Sequence, residues 1–513
     1  MERRIRVEPR RVYRFRMMSI KQFFAKRLAK RAVKSTKKWA QNPIATQEKV
    51  LKGLLQKAKN TAFGQDHRFS HINNYNDFVR QVPIRDYEGL RSYVDRVVAG
   101  AADVLWPGKP RYFSKTSGTT SGVKYIPISK DSMPTHIKTA QNALFHYMHY
   151  SGNTSFVDGK MIFLQGSPIL SKTNGIDTGR LSGIVAHYIP SYLLKNRMPS
   201  WETNCIDDWE QKVDAIVEET HHEDMRLISG IPPWVKMYFE RLSAKTNKPI
   251  KDIFPNFSLF VYGGVNYAPY RSVLEELIGK KIDSVELYPA SEGFIAFQDH
   301  PDEKGMLLQL DAGIFYEFVE ADKIHEENPP RISLADVKKG VNYAIILNTS
   351  AGLWGYNIGD TVEFVSLKPY RVIVSGRIKH FISAFGEHVI GKEVEQAMEE
   401  TLKLHQAAVT EFTVAPQVAP AAGLPHHEWW VAFDSNPEDL ATFAKTLDMF
   451  MRKQNTYYDD LISGGVLCPL VIKPLPSNAF EQHMKKMGKL GGQNKTPRLT
   501  NDRKIANALN DQF

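Results

Sequence analysis

Apolar residues spaced three or four positions apart dominate the first part of the chain and predict helices. Between residues 19 and 63, Phe24 and Leu28, and later Leu51 and Leu55, follow this spacing, which places each pair on one face of a helix. Polar and basic residues fill the positions between them, so each helix is expected to bury one face. Further helices are expected at 130–150, 207–221 and 232–245.

Short apolar runs without that spacing predict buried strands. They alternate with helices or turns, and this alternation favours a largely parallel sheet in an α/β fold. The runs lie at 160–165, 257–262, 282–288, 314–319 and 342–348. Residues 361–374 are instead predicted to form a hairpin, because their composition is rich in strand-forming residues.

The pattern changes after about residue 380 and predicts a separate α+β unit. Helices are expected near 391–404 and 438–454, and strands near 407–414, 428–433 and 466–473. A chain of 513 residues is long for a single core. We therefore predict a basic N-terminal extension at 1–38, a large domain at 39–380 and a small domain at 381–513.

The net charge of +11 comes from the N-terminal extension. Residues 1–38 hold fifteen Lys and Arg but only two Glu, whereas the rest of the chain carries 52 basic and 54 acidic residues. A nucleic-acid-binding domain would spread basic residues over one face, so this balance excludes a nucleic-acid partner. Three interpretations of the extension stay open: an organelle transit peptide, a helix resting on anionic lipid, or unselected sequence upstream of a true start at Met17 or Met18. The extension is expected to be disordered or not native.

Cysteine content and hydropathy indicate the cellular compartment. Cys205 and Cys468 are the only cysteines, which excludes a disulfide framework and a cysteine-rich zinc module and suits a reducing cytosol. The chain has no apolar run of the length that a membrane-spanning helix needs, and a secretory signal is not expected. We expect a cytoplasmic protein without an integral membrane segment.

Residues 116–122 form the first candidate site. Seven small or hydroxylated residues follow one another there, and Lys124 comes two positions later. Such a loop can turn its N–H groups and hydroxyls towards a polyphosphate while the lysine offsets the charge. The order of residues is neither the Walker nor the Rossmann motif. An ordinary flexible loop is the alternative.

Three further segments carry candidate chemistry. Tyr288, Ser291 and Glu292 follow a predicted strand and offer a stacking ring, a hydroxyl and a carboxylate. Asp360 follows a glycine turn and can accept hydrogen bonds from a ribose diol. Lys495 lies in a glycine-rich stretch and can reach a distant site. A helix cap, ordinary turn chemistry and a surface linker are the respective alternatives.

Two histidine-rich triplets, 221–223 and 426–428, are not predicted to bind metal. Adjacent residues on a helix diverge by about 100°, so neither His-His pair presents two ligands to one ion. We expect these to be surface or loop histidines.

Taken in order, the motifs resemble those of the adenylate-forming enzymes. The chain is most similar to the acyl acid–amido synthetases first described as auxin-responsive Gretchen Hagen proteins of plants, which have bacterial relatives. The likeness spans about residues 40–500 and rests on the segments 61–64, 82–84, 117–127, 262–264, 288–292, 356–360 and 495–498. It implies a large adenylate-forming domain, with parallel-rich sheets and a small β-barrel, followed by a mobile C-terminal domain.

The resemblance also implies roles for single residues, with ATP and Mg²⁺ as cofactors. The residues implied to bind phosphate are Ser117, Gly118, Thr119, Thr120, Lys124 and Ser291. Those implied to bind the adenosine part are Gly263, Gly264, Tyr288 and Asp360, and Arg377 at the domain junction is also assigned to the nucleotide. Glu292 is implied to bind Mg²⁺, and Lys495 to stabilise charge as the adenylate forms.

The activity implied by the resemblance is transfer of an acyl group from a carboxylic acid to an amino acid or another amine. ATP first forms an acyl-adenylate and pyrophosphate, and the amine then displaces AMP. Three positions depart from the usual pattern: Asn357 stands where arginine is usual, Lys379 where the hinge is acidic, and Pro289 where a small residue is usual. Two alternatives remain, an acyl-CoA ligase with a thiol acceptor and a regulatory nucleotide-binding protein without catalysis.

Overall fold

A computed structural model describes residues 19–117, 123–189, 195–264, 267, 270–378, 381–382, 389–463, 467–490, 496–500 and 502–513. The helices found there, in chain order, are α1 (Ile20–Ala40), α2 (Pro43–Ala58), α3 (Ala62–Asp66), α4 (Tyr75–Gln81), α5 (Tyr87–Val98), α6 (Met133–Ser151), α7 (Leu181–Ala186), α8 (Trp201–Asn204), α9 (Trp209–Thr220), α10 (Pro232–Thr246), α11 (Ile250–Ile253), α12 (Arg271–Ile278), α13 (Gly391–Leu404), α14 (Leu440–Gln454), α15 (Thr456–Ser463), α16 (Ala479–Lys486) and α17 (Lys504–Asn510).

The strands, in chain order, are β1 (Tyr112–Ser117), β2 (Val123–Ile128), β3 (Lys160–Phe163), β4 (Ser171–Thr173), β5 (Ile176–Gly179), β6 (Arg197–Met198), β7 (Met225–Ser229), β8 (Leu259–Gly263), β9 (Asp283–Ala290), β10 (Gly293–Phe297), β11 (Met306–Leu308), β12 (Ile314–Glu320), β13 (Arg331–Ser333), β14 (Asn342–Thr349), β15 (Tyr356–Leu367), β16 (Tyr370–Arg377), β17 (Phe381–Ile382), β18 (Val389–Ile390), β19 (Ala408–Gln417), β20 (His426–Ser435) and β21 (Val471–Leu475). The predicted helices and the hairpin of β15 and β16 are confirmed.

The largest sheet among the described residues has twelve strands and two different halves. In one half, β6, β3, β7, β8 and β9 are parallel, as the alternation of strands and helices predicts. In the other half, β9 to β16 pair antiparallel in one continuous hydrogen-bonded series. The prediction of a largely parallel sheet is therefore wrong for the runs 314–319 and 342–348. These strands return through short connections, and only antiparallel neighbours can be joined that way.

Helices cover both faces of the parallel half. On one face α9, α10, α11 and α12 pack over β3, β7 and β8 in a core that includes Trp209, Tyr238 and Phe260. On the other face α1 and α6 cover β7, β8 and β9. A second, four-stranded sheet in the order β2, β1, β5 and β4 lies beside this assembly.

Helix α1 makes residues from Ile20 onward part of this folded structure. Ala25, Ala29, Val33 and Thr36 are buried, and α1 packs along α6. Residues 1–18 of the expected basic extension lie outside the described residues. No helix in the described part of the chain is both long enough and apolar enough to cross a membrane.

The C-terminal region, residues 389–513, forms the predicted α+β arrangement. Strands β19, β20 and β21 make a three-stranded sheet, and α13 and α14 pack together on it. His427, predicted to be a surface or loop residue, is instead fully buried in β20 and stacks on Tyr458. This correction arises because an inward position of a central strand buries its side chain whatever its polarity.

Candidate active site

A large cleft of about 2330 Å³ lies between the parallel half of the sheet and the C-terminal region. The carboxyl ends of four parallel strands open into it, at Phe163, Ser229, Gly263 and Ala290. In α/β sheets this edge is where ligands bind. The opposite wall includes residues of α13 and the segment 496–499.

Seven of the site residues expected from the sequence line this one cleft. They are Lys124, Gly263, Gly264, Tyr288, Ser291, Glu292 and Asp360. They come from β2, β8, β9, the β9–β10 turn and β15, and more than 230 positions separate the first from the last. The fold therefore brings together residues that the sequence keeps far apart.

Gly263 and Gly264 end β8 at the floor of the cleft, and both have a backbone reason to be glycine. A Cβ on Gly263 would stand 2.4 Å from the carbonyl oxygen of Leu287 on the neighbouring strand. Gly264 has a φ of +75°, a left-handed conformation that favours glycine. The two glycines thus keep the backbone of β8 close to β9, beside Tyr288.

Tyr288 and Asp360 are joined directly. The hydroxyl of Tyr288 donates a 2.7 Å hydrogen bond to Oδ2 of Asp360, and both side chains are largely buried at the cleft wall. Asp360 has a second carboxylate oxygen, Oδ1, besides the one that Tyr288 contacts. The backbone of Arg377, the last residue of β16, lies opposite Asp360 in the hairpin.

Ser291 and Glu292 occupy the turn after β9 and are both held by hydrogen bonds. Ser291 Oγ lies 2.8 Å from Ser114 Oγ on β1, which ties the twelve-stranded sheet to the four-stranded sheet. Glu292 is 9% exposed and hydrogen-bonds the hydroxyl of Tyr356. Burial, followed by the charge of Glu292, holds the pKa of Tyr356 well above its usual range, so Tyr356 stays a donor to this carboxylate.

The strands that flank the hydroxyl-rich loop are well defined. Ser117 ends β1 and pairs with Val123 at the start of β2, so the two ends of the loop are adjacent. Gly118, Thr119 and Thr120 lie outside the described residues. The ammonium of Lys124 lies 5.5 Å from the ring centre of Tyr87, whose hydroxyl accepts a hydrogen bond from the backbone of Tyr125.

Lys495 lies outside the described residues, but the residues that follow it reach the cleft. Thr496, Pro497 and Arg498 line the wall of the cleft. The guanidinium of Arg498 pairs with Glu395 at 3.0 Å and with Glu411. The segment carrying Lys495 is therefore anchored at the cleft edge on its C-terminal side.

Asn357 has a local role. Its Oδ1 accepts a 2.9 Å hydrogen bond from the backbone of Gly359, which has a φ of +87°. The side chain thus shapes the turn before Asp360. Arg85 meets this turn through backbone hydrogen bonds to Gly355 and Asn357, and it also lines the cleft.

Sequence reasoning missed the cationic residues Arg85 and Arg180, and also Gln165, all of which line the cleft. Arg85 directly follows the segment 82–84, which is one of the motifs shared with the family. Its place in the sequence beside this motif could have identified it as a site residue. Arg180 and Gln165 carry no such signal, because only the contact between Arg180, after β5, and Gly166, after β3, brings them together in the cleft.

Family models match three stretches that together cover most of the chain. They are the GH3 family N-terminal domain at residues 32–207, the GH3 family central domain at 307–377 and the GH3 family C-terminal domain at 392–504. The chain belongs to the GH3 family. This GH3 protein is 23% identical to indole-3-acetic acid-amido synthetase GH3.15 of Arabidopsis thaliana, over 89% of the chain and 90% of that protein.

Solved structures agree on the fold. A GH3.15 acyl acid amido synthetase superposes with a TM-score of 0.76 at 17% identity, covering 93% of the GH3 chain and 95% of the other. A 2-hydroxyisobutyryl-CoA ligase in the postadenylation state superposes with a TM-score of 0.59 at 12% identity, covering 92% of each chain. The fold of this GH3 protein is thus the fold of adenylate-forming enzymes, with a large N-terminal and a smaller C-terminal part.

Proposed function

We propose that this GH3 protein is an ATP-dependent acyl acid–amido synthetase. It would join a carboxylic acid to an amino acid or another amine, with release of pyrophosphate and AMP. The observation that carries the proposal is the convergence of Lys124, Ser291, Glu292 and Asp360 on one cleft at the carboxyl edge of a parallel sheet. Membership of the GH3 family supports the same reaction class.

In the first half-reaction a carboxylate oxygen attacks the α-phosphorus of ATP, and the bond to the β-phosphate breaks. The acid and ATP are both anionic, so the protein must align them and offset charge on the leaving pyrophosphate. Lys124 and the loop after Ser117 would hold the phosphates, and Ser291 would donate to the α-phosphate. Gly263, Gly264 and the ring of Tyr288 would enclose adenine.

Asp360 would accept hydrogen bonds from the ribose hydroxyls in the cleft that it lines. The bond from Tyr288 supports this role, since it orients the carboxylate before a ligand arrives. We also place Arg377 near the nucleotide, because its backbone lies opposite Asp360.

The donor set fits Mg²⁺ that arrives with ATP. No group of three His, Cys, Asp or Glu side chains in the described part of the chain is arranged to hold a metal. Mg²⁺ is commonly bound by one or two carboxylates together with substrate phosphates, which suits the single carboxylate of Glu292. When bound, the ion would neutralise phosphate charge. Glu292 would be held in place for it by Tyr356.

In the second half-reaction the amine nitrogen attacks the acyl carbon, loses a proton, and the carbon–oxygen bond to AMP breaks. Lys495 would act in the first half-reaction by offsetting charge on the transferring phosphoryl group. The anchored position of Arg498, three residues later, supports delivery of Lys495 to the cleft edge.

A coenzyme A thiol is the second candidate acceptor. The fold shared with a 2-hydroxyisobutyryl-CoA ligase supports this alternative.

A regulatory protein that binds ATP without turnover is the third hypothesis. It is disfavoured because Glu292 and Asp360 are both present and both supported by tyrosine hydroxyls.

The experiment that tests the proposal measures pyrophosphate release from ATP and Mg²⁺ with pooled carboxylic acids. Release that depends on the acid, and an amide by mass spectrometry when pooled amino acids are added, would support the proposal. A thioester formed only with coenzyme A would favour the second acceptor. ATP binding without release in any pool would favour the regulatory reading.

We further place the protein in the cytoplasm, in keeping with its two free cysteines, Cys205 and Cys468.

The N-terminal helix of the protein would touch an anionic membrane surface. Helix α1 exposes Ile20, Phe23, Phe24 and Leu28 beside many basic residues, the composition of interfacial helices. Sedimentation with phosphatidylserine vesicles, but not with phosphatidylcholine vesicles, would support this surface, and loss of binding in Phe24→Ser would assign it to α1.

A further inference from the structure

Arg180 is a half-buried cation in the cleft that pairs with no carboxylate of the described residues. It follows β5 and precedes α7, and its side chain crosses Gly166, with Cδ 3.4 Å from the position that a Cβ on Gly166 would take. Among the described residues, no hydrogen-bond acceptor and no Asp or Glu lies within bonding distance of its guanidinium. Burial alone lowers its pKa, yet a guanidinium stays charged at neutral pH.

A second donor in the same wall also lacks an acceptor among the described residues. The side-chain nitrogen of Gln165 is fully buried and makes no hydrogen bond to that part of the chain. Gln165 directly precedes Gly166, the residue that the Arg180 side chain crosses, and both side chains line the cleft. A partly buried cation and a buried amide that both lack an acceptor among the described residues are each costly, so their presence together in a cavity favours an anionic ligand.

The position of Arg180 separates it from the nucleotide residues. Gly166 follows β3, and β3 is two strands beyond β8, where Gly263 and Gly264 lie. With strands about 4.8 Å apart, the Arg180 side chain crosses the sheet roughly 10 Å from these glycines. Tyr288 and Asp360 lie still further along the same sheet. On this side the cleft lining includes the apolar residues Leu164 and Trp234 together with the hydroxyl residues Ser167 and Ser182.

We propose that Arg180 and Gln165 form a subsite for a second carboxylate, one that belongs to the acid that is adenylated. The preferred acids would then have two anionic ends joined by an apolar body. One carboxylate meets ATP at Ser291, and the other pairs with the Arg180 guanidinium. A turn of the Gln165 side chain would bring its amide, buried in this structure, to the same carboxylate. This inference rests on the proposed function and narrows its substrate class to dicarboxylic acids.

The test compares matched acids in the wild-type protein and in Arg180→Met. Two pairs of acids differ only in the second carboxylate, which is a methyl group in the monoacid. They are octanedioic and octanoic acid, and benzene-1,4-dicarboxylic and 4-methylbenzoic acid. Pyrophosphate release without an amine is expected to favour the diacid by roughly tenfold or more in kcat/KM in the wild-type protein. Arg180→Met should abolish that preference, Arg180→Lys should retain part of it, and Gln165→Leu should reduce it severalfold.

Arg80→Met is the matched control, since Arg80 is exposed, pairs with Asp77 and does not line the cleft. It should leave the preference unchanged. Arg180→Met is expected to fold, because it removes a partly buried charge that pairs with no described carboxylate. Its melting temperature should equal or exceed that of the wild-type protein.

Three results would overturn the subsite. If Arg180→Met lowers kcat/KM equally for monoacids and diacids, Arg180 binds the reacting carboxylate. If it raises KM for ATP with every acid, Arg180 binds phosphate. A defect confined to the amine-transfer step would assign the carboxylate to the amine. If no acid supports turnover in the wild-type protein, the proposed function fails, and diacid binding by calorimetry without ATP still decides the subsite: binding lost in Arg180→Met supports it, and no binding refutes it.

Discussion

The hydroxyl of Tyr288 donates a 2.7 Å hydrogen bond to the carboxylate of Asp360, across the boundary between the parallel and antiparallel halves of the large sheet. Tyr288 lies on the last parallel strand and Asp360 on an antiparallel one. The bond couples the two sequence motifs that we assign to adenosine, so the orientation of one depends on the other.

Tyr288→Phe is expected to weaken ATP binding while sparing the chemical step. The ring is retained, but Asp360 loses the donor that orients it, and a hydrogen bond to a charged group is worth about 1.5–3 kcal/mol. We expect KM for ATP to rise about tenfold or more with kcat nearly unchanged, measured by pyrophosphate release. Tyr238→Phe, which removes a buried hydroxyl outside the cleft, is the control. An unchanged KM in Tyr288→Phe would refute the coupling.

Lys495→Ala is expected to slow adenylation by about a hundredfold or more, because a charge near the transferring phosphoryl group acts mainly in the transition state. ATP binding should stay measurable by calorimetry. Lys486→Ala, an exposed lysine of α16 that does not line the cleft, should behave like the wild-type protein. Pyrophosphate release at the wild-type rate in Lys495→Ala would remove this residue from the mechanism.

Glu286 is expected to make stability depend on pH. Burial, and then the charge of Glu395, raise its pKa from 4.5 to about 7 in the folded protein. The folded state therefore keeps a proton that the unfolded state loses, and stability falls as pH rises from about 4.5 to about 7, on the order of 3 kcal/mol. In Glu286→Gln the free energy of unfolding should not fall over this pH range, and at pH 8 the variant should be more stable than the wild-type protein. Denaturant unfolding at pH 5 to 8 measures both.

The control for this pH profile is Glu48→Gln, on an exposed position of α2. It should keep the wild-type profile. If the free energy of unfolding changes with pH in the same way in Glu286→Gln and in the wild-type protein, Glu286 has the same pKa in the folded and unfolded states and the prediction is wrong.

Arg498→Met is expected to destabilise the C-terminal region by about 3 kcal/mol, because it leaves Glu395 and Glu411 without their shared cation. Glu411 also accepts a 2.8 Å hydrogen bond from Tyr270 of the N-terminal part, so the contact between the two parts should loosen as well. Arg452→Met removes an exposed pair with Asp459 and should cost less than about 1 kcal/mol. Equal melting temperatures for the two variants would contradict this ranking.

The local elements and the order of the motifs could be predicted from the sequence alone. Helices α1 and α2, strands β8 and β9 and the C-terminal α+β pattern follow from periodicity, which is a property of neighbouring residues. The sequence also indicates the likeness to the GH3 family, because the motifs are short and occur in the same order along the chain. That Lys124, Ser291, Glu292 and Asp360 would share a cleft was an implication of this likeness and not of the spacing.

The pairing of the strands and the partners of the polar groups depend on how distant segments pack. Residues 314–319 and 342–348 are as apolar as parallel strands, and their antiparallel pairing depends on the neighbour each one meets. His427 is polar by composition and buried by position. Arg180 became a candidate because its position after β5 places its side chain over Gly166, where it pairs with no carboxylate of the described residues. Such facts depend on contacts between distant segments, and local patterning does not encode which distant segment comes to lie beside a given residue.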